Sequence, residues 1–312
     1  MKPVLNIQNL TVSYGQHVVL DAVDLAINTG EIVGLIGPNG AGKSSLIKTL
    51  CGRIKPDDGH MNVGDVHLKH GRARRHLMGM VPQDIALYPH MTGRENLAAF
   101  GRMANVTGRE LRDTIDKSLR AVGMTDKQNV RVGAMSGGMK RRINVAAAIL
   151  HAPKLLIFDE PTTGVDIPAR DTVHRLIKSL AERGLAILLV THELEQVESL
   201  CDKICLLAEG KNLISGPPPD VLWQVYGPSR QTVIRLARSP EPEFIKALSG
   251  HGFEQAELPT VWQTFRNVKD VGIISRFLAS TCTDKAIIRE VLVRQPSLST
   301  LMHHVEHTGE LP

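Results

Sequence analysis

The chain has 312 residues, 42% of them hydrophobic and 22% charged, with 37 basic against 32 acidic side chains for a net charge of +5. This is enough chain for one large domain plus a small one. No apolar run approaches the roughly 18–20 residues that cross a bilayer, and the mild basic excess gives no reason to expect a nucleic-acid partner.

The opening residues, Met1 to Asn6, lack the long apolar core of a secretory leader, so the protein is expected in the cytosol unless a partner holds it at a membrane. Cysteines 51, 201, 205 and 282 show no paired C-x-x-C spacing, and reduced thiols are expected. Residues 4–28 hold two alternating segments, Leu5 to Val12 and Val23 to Ile27, split by Tyr14-Gly15-Gln16-His17. That pattern predicts antiparallel strands joined by turns. Tyr14 is the only aromatic residue before Tyr88. It can stack on a bound ring or pack on its own sheet.

Glu31 to Ile36 is a short apolar run suited to a buried parallel strand. It leads into Gly37-Pro38-Asn39-Gly40-Ala41-Gly42-Lys43-Ser44, with Ser45 next, which fits the phosphate-binding pattern G-x-x-x-x-G-K-[ST]. A triphosphate needs a concave ring of backbone N–H donors, and a chain curling that tightly needs residues without a Cβ. Lys43 is placed to reach the β/γ-phosphates, and the Ser44 hydroxyl to face Mg2+. Leu46, Ile47 and Leu50 then share one helical face, with Gly52 as the stop. The helix N-terminus is therefore aimed at the phosphates.

Further short strands are expected between Ile54 and Val81, with a turn at Pro56-Asp57-Asp58-Gly59, before Val81-Pro82-Gln83-Asp84. The cluster Lys69 to His76 is basic but carries no interleaved aromatics, as a solvated loop would. From about residue 87 to 150 the period becomes helical, predicting a helical insertion. Within it, Ser136 ahead of Gly137 and Gly138 fits a capped helix start whose backbone can approach something closely.

Leu155 to Phe158 ends in Asp159-Glu160, a buried strand whose tip carries two carboxylates. Asp159 suits Mg2+ and Glu160 suits polarising an attacking water; the two acids could instead cap the following helix. That helix is expected from about Pro168 to Arg183, and a second buried strand, Leu185 to Val190, runs into Thr191-His192-Glu193. Composition breaks at Gly216-Pro217-Pro218-Pro219, a short helix is expected up to about Gly227, and residues 231–312 alternate strand-like and helix-like pieces. A metal reading of His303, His304 and His307 has no suitably spaced Cys or acidic partner.

Taken in order, these motifs resemble the ATP-binding cassette (ABC) ATPases over residues 3–225. The resemblance implies an α/β fold: a P-loop NTPase core, mainly parallel, with an N-terminal antiparallel β subdomain and a helical insertion near 87–150. An ATP-binding domain over 1–227 would precede an α+β accessory domain over 228–312. ATP and Mg2+ are the implied ligands. Tyr14 would stack on adenine, Gln83 would link Mg2+ to the transport partner, and Asp159 would anchor the metal. Glu160 would be the catalytic base, and His192 the switch at the γ-phosphate. Met135 to Met139 would be the signature loop, with Ser136, Gly137 and Gly138 binding the γ-phosphate of an opposing copy, and Asp166 would signal across the dimer.

Met135 and Met139 stand where Leu and Gln are usual. Ser-Gly-Gly-Met-Lys-Arg-Arg and Asp-Glu-Pro-Thr-Thr-Gly-Val-Asp resemble the drug, lipid or polysaccharide exporter branch, as do Pro296-Ser297-Leu298 and Thr308-Gly309-Glu310-Leu311 in the tail. A head-to-tail pair of copies is implied, serving a separate integral membrane permease at the cytoplasmic face of the cell membrane. The alternative is a soluble ABC-type ATPase in cofactor assembly or another non-transport process.

Overall fold

The computed structural model describes residues 2–68, 76–256, 258–267 and 288–312. Most of the basic cluster at 69–76, part of the alternating tail at 231–312 and Cys282 lie outside the described residues. Contacts divide the chain into two compact units, Met1–Pro218 with Val305–Glu310, and Pro219–His304 with Leu311–Pro312.

The first unit opens with β1 (Leu5–Tyr14) and β2 (His17–Ile27), whose alternating burial matches the period-two pattern in the sequence. They pair antiparallel, Tyr14 opposite His17 at the turn. β3 (Ile32–Ile36) and α1 (Lys43–Leu50) flank the P-loop, and β4 (Asp58–Val63), β5 (Val66–His67) and β6 (Met78–Val81) follow. The turn expected at 56–59 is shorter than its sequence suggests. Thr11 of β1 pairs with Asp58, so β4 begins inside the predicted turn.

Helices α2 (Gly93–Met103), α3 (Gly108–Ala121) and α4 (Gly137–Ile149) form the expected insertion. α2 starts at a reciprocal capping box, Thr92 with Glu95. Buried Asn96 ties the preceding loop to this helix, donating to the carbonyls of Tyr88 at 3.0 Å and Thr92 at 2.9 Å.

The chain then returns to the sheet through β7 (Leu155–Asp159), α5 (Ile167–Glu182), β8 (Ala186–Val190) and α6 (Leu194–Leu200). β9 (Lys203–Ala208) and β10 (Lys211–Gly216) complete it. Residues 194–216 were not anticipated from the sequence, although the apolar run Ile204 to Ala208 carried the strand signal.

Two sheets result, ordered β2-β1-β4-β5 and β10-β9-β3-β8-β7-β6. The second is parallel from β9 to β6, with β10 an antiparallel edge. β3 and β8 are buried throughout, as a sheet covered on both faces requires. Leu5, Leu20, Leu46, Leu155 and Leu188 belong to one core cluster spanning both sheets and α1.

α7 (Pro218–Tyr226) is the short helix expected before Gly227. The second unit is a four-stranded antiparallel sheet, β12-β13-β11-β14, from β11 (Ser229–Leu236), β12 (Glu254–Gln255), β13 (Val261–Asn267) and β14 (Ile288–Arg294). Leu248 of α8 (Pro242–Gly250) packs with Ile234, Leu236, Phe253 and Trp262 in its core. The last helix is α9 (Leu298–Thr308).

Candidate functional site

The Gly37–Ser44 loop bridges the buried end of β3 and the first turn of α1, and its glycines adopt conformations that side chains avoid. Gly37, Gly40 and Gly42 have φ of 151°, 84° and 104°. A Cβ on Gly37 would stand 2.0 Å from the Leu207 carbonyl oxygen, and one on Gly42 2.7 Å from that of Val19. The cradle thus exists only with glycine at both positions. Lys43 Nζ folds onto it, donating to the carbonyls of Gly37 and of Pro38, the latter at 2.8 Å. Burial lowers the Lys43 pKa, while the charges of Glu160 and Glu306 act in the opposite direction. An incoming phosphate would replace carbonyl dipoles with full negative charge, which favours the charged ammonium.

Parallel pairing of β7 with β8 sets Asp159 opposite Val190, and this register brings the tips of the two strands together. Glu160 sits in the left-handed region at φ 48°, held there by its N–H donating to the Val190 carbonyl at 2.8 Å. Strain of this kind costs about 1–3 kcal/mol and is retained where neighbours enforce it. The Glu160 carboxylate accepts from Thr191 Oγ1 at 3.2 Å and from the His192 backbone N–H at 3.1 Å, and it lies 2.9 Å from His192 Nδ1. The base candidate is shielded and the imidazole open, with side-chain exposures of 14% and 73%.

The alternative in which Asp159 and Glu160 cap the next helix does not occur, because Asp166 caps α5, its Oδ1 accepting from the Ala169 N–H at 2.9 Å. Burial, then the charge of Glu160, raises the pKa of Asp159. Ser44 and Asp159 line one cavity of about 190 Å³. A hydroxyl and a carboxylate whose charge is penalised by burial are donors that a hard cation such as Mg2+ takes, so the residues fit that ion.

Ser136 caps α4, its Oγ accepting from the Met139 N–H at 3.3 Å. A Cβ on Gly137 would meet no heavy atom within 4 Å, so this backbone faces open space. Met135 is buried, its Cε 3.3 Å from where a Cβ on Gly93 would stand. It therefore acts as a core side chain of the insertion. Tyr14 is 49% exposed at the tip of β1 and has no ring partner among the described residues, which leaves its face free to stack.

Gln83 follows β6 and lines a groove of about 1030 Å³ with Asp159, Phe100, Met103 and Asn144. A residue not singled out from the sequence fixes it. Arg141 of α4, 2% exposed, donates to the carbonyls of Pro82 at 2.6 Å and Gln83 at 2.7 Å. Burial lowers its pKa, partly offset by the charge of Asp84. The helix that begins at Ser136 is thereby bonded to the loop carrying Gln83. An arginine three residues beyond Gly138 was the only signal available.

Known proteins resemble this chain over about three quarters of its length. A family model described as ABC transporter matches residues 20–163. The chain is similar to linearmycin resistance ATP-binding protein LnrL of Bacillus subtilis (strain 168), 37% identical over 237 residues, covering 76% of this chain and 75% of that protein. It is also similar to Nod factor export ATP-binding protein I of Rhizobium sp. (strain N33), 36% identical, covering 76% of this chain and 81% of that protein. Among solved structures, cbiO1 from Clostridium perfringens, part of the ABC transporter complex cbiONQ, superposes with a TM-score of 0.66 at 26% identity, over 71% of this chain and 91% of that one. An ATP-binding subunit of an ABC transporter superposes with a TM-score of 0.63 at 29% identity, over 71% and 92%.

Proposed function

The chain belongs to the ABC transporter family, and from that premise we infer that it is the ATP-hydrolysing subunit of an exporter, energising a separate membrane permease. The observation that carries the mechanistic reading is the junction of Glu160, Thr191 and His192 at the tips of β7 and β8. It places a shielded carboxylate and an open imidazole at the carboxyl edge of a parallel sheet, where such sheets bind ligands.

ATP would lie on the backbone donors of Gly37, Pro38, Asn39, Gly40, Ala41 and Gly42, with Lys43, Ser44 and Ser45 at its phosphates and Tyr14 on the adenine. Ser44, Gln83 and Asp159 would hold Mg2+, which supplies positive charge to the phosphates. Glu160 would polarise the attacking water and His192 would sense the γ-phosphate. The uncovered backbone of Gly137, with Ser136 and Gly138, would complete the site of a second copy, closing a head-to-tail pair on two nucleotides. Asp166 would relay between the copies. Loss of the γ-phosphate removes the contacts that favour closure.

The groove beside Gln83 supports docking of the permease at the cytoplasmic face of the membrane. Asn144 on its wall is buried, and its amide nitrogen has no hydrogen-bond partner among the described residues. No helix among the described residues is long and apolar enough to cross a membrane, so the transport path would belong to the partner. An ATP-binding domain over 1–227 and an accessory domain over 228–312 divide the labour.

Co-expression with the permease of its own operon, followed by reconstitution, tests the reading. ATPase activity that rises on assembly and falls when the groove is altered supports it. A chain that never co-fractionates with a membrane protein defeats it.

A further inference from the structure

The second unit carries chemistry that ATP hydrolysis does not use. One face of its sheet, toward the start of α9, borders an open cavity of about 480 Å³, within the range of small-molecule sites. Arg235, Arg289, Arg294 and His303 line it, and no carboxylate is among the described lining residues. Val233, Leu258 and Val261 supply an apolar wall.

The arginines are held in different ways. Arg294 is fixed by its Nε, which donates to Gln231 Oε1 at 2.8 Å. Gln231, 3% exposed, is itself committed: its Oε1 also accepts from Thr300 Oγ1 at 3.1 Å, and its Nε2 donates to Gln263 Oε1 at 2.8 Å. With Nε engaged, the outer edge of the Arg294 guanidinium has no hydrogen-bond or ion-pair partner among the described residues. Arg289 has no ion-pair or hydrogen-bond partner among the described residues. Arg235 pairs with Glu290 at 2.9 Å, but both are about half exposed, and such surface pairs are weak. Ser299 and Thr300, in the first turn of α9, bring the positive end of that helix to the same cavity.

An amide network built on buried Gln231 that orients one guanidinium, a second guanidinium without a counter-ion among the described residues, and an apolar wall together describe a receptor for an anion with a hydrocarbon body. We propose that this cavity binds a small amphipathic anion, a carboxylate or phosphate monoester on an apolar chain, taken as a monomer from solution. The guanidinium fork matches either oxyanion in bidentate fashion. Val233 and Val261, on neighbouring strands, would cover the apolar part. The site is independent of the nucleotide reading, since none of its residues belongs to the P-loop unit.

The test is calorimetric titration of the full chain with octyl phosphate and octanoate below their micellar range. Saturating Mg-ADP fills the P-loop, and octanol is the uncharged control. Both anions should bind at one site per chain, with octanol at least about tenfold weaker, the loss expected for one charge-assisted contact. Arg294→Gln should weaken the anions by about tenfold or more. Because that change also disturbs Gln231, Arg289→Gln is the second variant, as Arg289 has no hydrogen bond or ion pair to lose among the described residues. It should weaken the anions while leaving octanol and ADP binding unchanged. Equal binding of octanol, no binding of either anion, or unaltered affinity in Arg289→Gln would overturn the proposal. Co-sedimentation with phosphatidylglycerol vesicles without binding of the free anions would overturn it too, because the ligand would then be a membrane surface.

Discussion

Glu160 and His192 are bonded twice: one carboxylate oxygen accepts from the His192 backbone N–H at 3.1 Å and lies 2.9 Å from its Nδ1. The pair forms because β7 and β8 are adjacent and in register, so the residues just past each strand meet. Glu160→Gln preserves shape and most of the hydrogen bonding but removes the basic oxygen. Turnover should fall by about 10²–10⁴-fold, while ATP affinity stays within a few-fold and Mg-ATP now traps a dimer. Phosphate release and light scattering measure the two effects. Since the residues act as a unit, Glu160→Gln with His192→Ala should be little slower than Glu160→Gln alone. Wild-type turnover in Glu160→Gln would remove Glu160 from the mechanism.

Lys43 is half-buried and satisfied by two loop carbonyls, so its loss should be tolerated by the fold but not by the ligand. Lys43→Ala should weaken ATP by about 10- to 100-fold, the equivalent of one or more charge-assisted hydrogen bonds. A titration with a fluorescent ATP analogue reads this directly. Unchanged affinity would sink the phosphate-binding role.

Asp159 yields a pH prediction with a definite sign. Its folded pKa is raised above the ordinary 3.8 by burial and by Glu160. The stabilisation of its protonated form is fully present below the unfolded pKa and lost as pH rises through the folded one. At neutral pH the ionised carboxylate is therefore a cost to the free protein. Asp159→Asn should raise Tm without ligand, with the gain shrinking as pH falls through the native titration. With Mg-ATP present, the wild type should be stabilised more than the variant. Scanning calorimetry over pH, with and without Mg-ATP, checks both signs.

Arg141 bonds α4 to the Gln83 loop through two carbonyls. Arg141→Met leaves those carbonyls unpaired in a buried place, at a cost of about 2 kcal/mol. At this domain size that is a fall of about 4–8 °C in Tm. Nucleotide affinity should be nearly unchanged, while stimulation of ATPase by the permease should drop, because Gln83 is no longer held to α4. Calorimetry and assays in proteoliposomes separate the two readouts. Full stimulation in a destabilised Arg141→Met would limit Arg141 to a packing role.

The sequence by itself determined what depends on near neighbours. Glycines at 37, 40 and 42 announce a backbone that only they adopt, Ser136 announces a cap, and the unbroken apolar runs at 32–36, 155–158 and 186–190 announce strands covered on both faces. Each signal is local, set by φ, capping or side-chain period within a few residues. The tertiary structure alone decided which strands lie side by side, and hence that Glu160 meets Thr191 and His192 across more than thirty positions. It also decided that Arg141 reaches back 58 and 59 residues to the Gln83 loop, and that three arginines of the accessory sheet share one cavity. Pairing at such separations follows from strand order and register, which arise from packing the whole core and leave no trace in any short stretch of chain.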